Sequence, residues 1–102
     1  MKPFVVSPHA ADDLNGIWLY LAEEAGEEIA DRSLLRLAES FVRLAEDPGT
    51  GHRRSDLTRL PLHFLFVEPY MVIYQRDCAP LAIHAVLHGA RDLRKLLRSR
   101  PL

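Results

Sequence analysis

The sequence contains a single cysteine, Cys78, among 102 residues. One thiol cannot close an internal disulfide, nor can it supply the paired cysteines of a zinc ribbon. No run of about 18 uninterrupted apolar residues is present, so no helix is expected to cross a membrane. The first residues lack the apolar stretch of a secretory leader. These absences point to the cytoplasm. Also missing are a glycine-rich phosphate loop, a His-Glu-x-x-His pair and a Gly-x-Ser-x-Gly elbow. The five histidines, His9, His52, His63, His84 and His88, are scattered and lack the fixed spacings of metal ligands. Neither a metal nor a cofactor is expected.

What is present suits one folded domain spanning residues 1–102. Hydrophobic residues make up 48% and charged residues 26%, ordinary values for a globular chain. Disorder would require low hydrophobicity and high net charge together. The net charge is −1, but it is unevenly spread. Residues 1–47 carry four Lys/Arg against ten Asp/Glu, a balance of −6, and residues 48–102 carry nine against four, a balance of +5. The two halves could meet partners of opposite sign, or they could simply present solvated faces.

Along the chain, residues 3–6 read as a short β-branched strand. Ser7-Pro8 is a helix start, with Ser7 as cap and Pro8 at the first position, where its missing N–H is harmless. Asp12 and Asp13 lie near that positive end. A first helix over 8–24 is expected to bury Leu14, Ile17, Trp18, Leu21 and Ala22. Gly26 interrupts it. A second helix over 27–46 carries the stripe Ala30, Leu34, Leu37, Ala38, Phe41, Leu44 and Ala45. Asp47-Pro48-Gly49 ends it, and residues 48–61 read as a polar, basic loop with Arg53, Arg54 and Arg59. Three strands are expected at 62–67, 70–76 and 80–87, joined by short turns into an antiparallel meander. The middle strand, Tyr-Met-Val-Ile-Tyr-Gln, is apolar at nearly every position, as for a strand covered on both faces. A last, basic helix is expected over 90–98. The fold class is therefore α+β: an antiparallel sheet packed against an N-terminal helical hairpin, in the order β-α-α-β-β-β-α. Both helical stripes should meet Phe4, Phe66, Val72 and Ile83 or their neighbours, and the poor alternation of the strands leaves open which faces point inward.

Few side chains suggest chemistry. His84 and His88 are four apart on a strand and would share a face, where an acid/base pair could operate near neutral pH. The plainer reading is a packed or edge-facing imidazole. Trp18 reads as core packing, and Tyr70 and Tyr74 as sheet aromatics whose hydroxyls reach the rim. In Leu87-His88-Gly89-Ala90-Arg91-Asp92-Leu93 a strand ends, Gly89 permits a sharp turn, and Arg91-Asp92 open a helix.

Four blocks carry a resemblance. They are Ser7-Pro8 with Ala10-Ala11-x-Asp13-Leu14 and Ile17-x-x-Tyr20; Ala30-Asp31-Arg32 leading to Leu44-Ala45-x-x-Pro48-x-x-Gly51 and Arg54-x-Asp56-Leu57; Tyr70-x-Val72-Ile73-Tyr74; and Val86-Leu87-His88-Gly89-Ala90-Arg91-Asp92. In this order and spacing the sequence resembles ParE toxins of the RelE/ParE superfamily over nearly its whole length. The resemblance implies a toxin of a type II toxin–antitoxin pair, neutralised by a cognate ParD-like antitoxin in a hetero-oligomer and inhibiting DNA gyrase. DNA would be reached only through the antitoxin or gyrase. The RelE branch shares the fold but would imply ribosome-dependent mRNA cleavage, which needs an acid, a base and cations on the phosphate. At the positions matched to the RelE basic and tyrosine residues this chain has Leu62, Phe64, Met71 and Leu97, and only Arg91 keeps a cation. The expected action is therefore binding, with no catalytic residues. The alternatives are an RNA-cleaving toxin using His88 and Arg91, or an inert relative that only binds its antitoxin. Candidate contacts for the antitoxin or target are Arg54, Tyr70, Tyr74, His88, Arg91, Asp92, Arg94, Lys95 and Arg98.

Overall fold

Ser7 organises the start of the chain in the computed structural model, which describes residues 4–77, 79–89 and 99. Its backbone is extended, and its hydroxyl oxygen accepts from the Ala10 N–H at 3.1 Å, capping α1, Pro8–Ala25. The same hydroxyl donates to the carbonyl of His84 at 3.1 Å. One side chain thus fixes both the helix start and its seat on the sheet. The preceding strand β1, Phe4–Val6, sits where the β-branched run placed it.

The helical hairpin turns at Gly26, whose φ of +98° and ψ of 158° suit only glycine. Its N–H donates to Ala22 and its carbonyl accepts from Ala30, so one residue ends α1 and starts α2, Glu27–Glu46. Of the expected α2 stripe, Ala30, Leu37, Phe41 and Leu44 are buried. Ala38 is exposed, because it lies about 100° around the helix from Leu37. Ser40 takes its place in the interior and satisfies its hydroxyl on the Leu37 carbonyl at 2.6 Å. Trp18 is half-buried outside the core, and its indole N–H donates to Asp31 at 2.8 Å across the hairpin. It ties the two helices together; it does not fill the core.

After a 3₁₀ turn at Pro48–Thr50, the chain forms β2, His52–Arg53, then β3, His63–Val67, β4, Tyr70–Gln75, and β5, Leu81–His88. β2 lies inside the stretch that reads as loop. The sheet order is β1-β5-β4-β3-β2. The pairs β2–β3, β3–β4 and β4–β5 are antiparallel, and β1 joins β5 in parallel, Val6 opposite Ile83. The expected last helix, with Leu93, Leu96 and Leu97, lies outside the described residues.

The β4–β5 ladder contains a bulge. Ile73 pairs with Ala85 but Tyr74 pairs with Ile83, leaving His84 as the extra residue. The backbone groups this frees are satisfied by α1. The Ser7 hydroxyl reaches the His84 carbonyl, and the Asp13 carboxylate accepts from the Val86 N–H at 3.0 Å. Asp13 therefore serves the sheet edge and not, as its sequence position suggests, only the helix end.

Two apolar layers result. Between hairpin and sheet lie Leu37, Phe41, Leu44, Tyr70, Val72, Tyr74, Ile83 and Val86, with Phe4 edge-on to Phe41 at 5.6 Å. On the other face Leu62, Phe64, Ile73, Ala85 and Leu87 pack with Leu57 and Met71. β4 is buried on both sides, which explains its weak alternation. Phe66 joins neither interior and is 56% exposed. Its neighbours Leu65 and Val67 pack against the helix-side layer, so the strand period turns Phe66 away from the helices.

Candidate partner-binding surface

The far face of the sheet brings together three of the four apolar positions singled out by the resemblance. Leu62 and Phe64 are each 3% exposed, and Met71 packs against the same cluster. No member of this cluster has a side chain that can carry a proton at neutral pH. The fourth position, Leu97, lies outside the described residues. The chemistry this patch supports is burial and shape.

His84 and His88 do not share a face. A regular strand would align them, but the bulge at His84 breaks the period. His84 turns to Gln75, with Nε2 and Oε1 3.1 Å apart, and burial pushes its pKa below the ordinary value, so it is neutral at neutral pH. His88 lies on the helix side, its ring perpendicular to Tyr70 at a centroid distance of 5.9 Å. The two imidazoles thus engage different partners.

Tyr70 and Tyr74 do share the helix-facing side of β4, but their hydroxyls differ. Tyr74 is fully buried; its hydroxyl donates to the Pro48 carbonyl at 2.7 Å and accepts from the Gly51 N–H at 3.0 Å. Burial pushes this phenol's pKa up, partly offset by the Gly51 hydrogen bond. Tyr74 holds the 48–51 turn from inside and does not reach the rim. A Cβ at Gly51 would collide with the Tyr74 ring and lie 2.7 Å from the Phe64 carbonyl, so only glycine fits there.

Tyr70 is buried, with its ring against His88. Burial pushes its phenol up, Tyr20 adds to that, and Arg36 pulls the other way. Tyr20 on α1 is 64% exposed. Arg36 on α2 donates to the Glu68 carbonyl at 3.1 Å, joining the helix to the β3–β4 turn. Next to it a cleft of about 310 Å³ runs between Arg36, Glu39, Ser40 and Arg43 on α2 and Leu65, Phe66 and Val67 on β3 with Glu68 in the turn after it. β2 pairs only with His63 and Phe64, so among the described residues no strand covers the outer edge of Leu65–Val67. Arg36, Arg43 and Tyr20 are absent from the sequence-derived contact set. The seven-residue spacing of Arg36 and Arg43, which puts both on one side of a helix, was the available signal.

Arg54 is exposed and clamped by Asp56 through two hydrogen bonds of 2.9 and 2.8 Å, which push its guanidinium pKa up. Its carbonyl accepts from the Leu57 and Thr58 N–H groups. The Arg54-x-Asp56-Leu57 motif is thus a local turn that seats Leu57 on the far-face cluster. Gly89 has no positive φ; its constraint is steric. Its N–H donates to the Pro69 carbonyl at 2.7 Å, and a Cβ there would lie 2.9 Å from the Phe66 ring. Arg91, Asp92, Arg94, Lys95 and Arg98 lie outside the described residues. Among the described residues no helix is long and apolar enough to cross a membrane, and no three metal-ligand side chains converge.

Comparison with known proteins places this geometry. The chain is 32% identical over 81 residues to Toxin ParE3 of Caulobacter vibrioides, covering 79% of this chain and 80% of that one. Its fold superposes with a TM-score of 0.72 on a chain of the chromosomal ParDE TA system from P. aeruginosa, at 18% identity, covering 83% of this chain and 92% of the other. At that identity the likeness is one of fold. The family model "ParE toxin of type II toxin-antitoxin system, parDE" matches residues 4–93. That match runs from β1 through the His88-Gly89-Ala90-Arg91-Asp92 block, and the chain belongs to the ParE toxin family of type II toxin–antitoxin systems.

Proposed function

We propose that this toxin acts in the cytoplasm by gripping DNA gyrase, without turning over a substrate, and that a cognate ParD-like antitoxin neutralises it by direct binding. One observation carries the reading: Leu62, Phe64 and Met71, the positions where RNA-cleaving relatives carry their working groups, form a single apolar cluster. Cleavage through a 2′-hydroxyl requires a base, an acid and a stabiliser for the phosphate charge. The neighbouring imidazole, His84, is held neutral and engaged with Gln75.

For the antitoxin, the open edge of β3 and the cleft beside it fit an extended segment that adds a strand to the sheet. The cleft is lined by both signs of charge, Arg36 and Arg43 against Glu39 and Glu68, and so suits a segment that itself carries both. Tyr20 and His88, both exposed and flanking the buried Tyr70, add ring surface of the kind that anchors protein contacts. The basic residues Arg91, Arg94, Lys95 and Arg98, with Asp92, remain candidates for the gyrase contact.

The test is supercoiling by purified gyrase with this toxin, in the presence and absence of its antitoxin. Inhibition by toxin alone, relieved by antitoxin, is the expected result. Ribosome-bound mRNA cut by the pure protein would overturn the binding reading.

A further inference from the structure

Among the described residues, the Nδ1 of His63 is buried without a hydrogen-bond partner. His63 opens β3, pairs with Arg53 on β2 and Tyr74 on β4, and is 7% exposed. Its ring is tilted 37° to that of Tyr74, with centroids 5.7 Å apart. Tyr74 in turn holds the Pro48 carbonyl and the Gly51 N–H. The Asp47 carboxylate holds the start of the turn through the Gly49 N–H, and the imidazole packs against Tyr74, the side chain that ties the turn to the sheet, beside the two-residue strand that follows it.

The charged groups facing this ring come from each element around it. Arg53 belongs to β2 and Arg76 follows β4; Asp77 opposes them. Asp47, at the end of α2, acts on the Tyr74 phenol. The neutral ring leaves one acceptor unsatisfied. The protonated ring would bury a charge and an N–H without an acceptor, between two guanidinium groups. The closed arrangement tolerates the first state and resists the second.

We propose that His63 is a proton-sensitive latch on the segment from Pro48 to Arg54. With His63 neutral, β2 pairs with β3 and Tyr74 holds the turn. Protonation favours release of both, which exposes the ring and frees the turn that seats Leu57 over the far-face cluster. The inference does not depend on gyrase or on the antitoxin.

The sign follows from linkage. Burial first, then Arg76 and Arg53, lower the His63 pKa in the closed form below 6.5, with Asp77 opposing. The open form binds the proton more readily, so closure is complete above about 6.5, the open-form value. It weakens as pH falls below that value and levels off beneath the depressed closed-form value.

Hydrogen exchange of the Gly51 amide, corrected for intrinsic rates, reads the latch directly, and the Leu37 amide in α2 reports global unfolding. Gly51 protection should be flat above pH 6.5 and then fall by up to about tenfold per pH unit, the limit for one proton. Leu37 protection should hold. His63→Leu should abolish the acid dependence at Gly51. Persistence of that dependence in the variant would assign it elsewhere, to His84 for example, and overturn the proposal. Parallel loss at Gly51 and Leu37 would also overturn it, since that is global unfolding. Should the variant fail to fold, NMR titration of the wild-type His63 ring decides alone, and a midpoint at or above 6.5 rejects the latch.

Discussion

The two faces of this sheet are both buried, yet they are built differently. The helix side contains the groups capable of hydrogen bonding or titration: Tyr70, Tyr74, His63 and His88. Where their partners are visible, they are spent on structure, Tyr74 on the 48–51 turn and His88 against Tyr70. The far side is apolar throughout its buried cluster. Burial alone does not distinguish the two faces; the chemistry of the buried side chains does, hydrogen-bonding and titratable on one and apolar on the other.

The largest expected effect tests whether the far face is core or contact surface. Phe64→Ala removes a ring that is 3% exposed, and should cost about 3–5 kcal/mol of stability in urea unfolding. A variant of unchanged stability but impaired gyrase inhibition would make the patch a binding surface, and the two faces would no longer be equivalent as core. On the helix side, Tyr74→Phe keeps the ring and deletes the hydroxyl. It leaves the Pro48 carbonyl and Gly51 N–H unpaired, and should cost about 1–3 kcal/mol. Gly26→Ala, away from both faces, forces a side chain onto a backbone at φ +98° and should cost about 1–3 kcal/mol without altering either layer.

Much of this contrast could be read from residues alone. Ser7-Pro8 located the start of α1, and Gly26 located the turn of the hairpin. The unbroken apolar run of β4 signalled cover on both sides. Local patterns stop where pairing becomes non-local. The parallel match of Val6 with Ile83 joins residues from opposite ends of the chain, and nothing in either short run specifies it. The bulge at His84 is visible only once β4 and β5 are aligned, and it alone reverses the expected alignment of His84 with His88. β2 is two residues of exposed His and Arg, without apolar periodicity to betray a strand. Tyr74 read as a rim hydroxyl because its acceptor and donor lie 26 and 23 residues away. In β3 the helix side takes Leu65 and Val67, the neighbours of Phe66, a choice that the poor alternation of the run left open.

The C-terminal basic block extends the comparison from packing to target. Arg91→Ala, and separately removal of residues 93–102, should weaken growth arrest and gyrase inhibition. Full growth arrest by both would remove that end from the mechanism and shift attention to the exposed rings of Tyr20 and His88.

The smallest expected effect is at Arg54, and its smallness gives it value. Its ion pair with Asp56 joins side chains that are 43% and 52% exposed. Solvent and salt screen such a pair, and holding two mobile side chains together opposes what attraction remains. Arg54→Ala should therefore leave the urea midpoint where it is, at low and high salt alike. A stable Arg54→Ala protein that loses antitoxin or gyrase binding would place Arg54 in a partner contact. A lowered midpoint would instead show that the Arg54–Asp56 turn, through Leu57, is part of what covers the far face, and the apolar layer would then depend on an exposed charge pair.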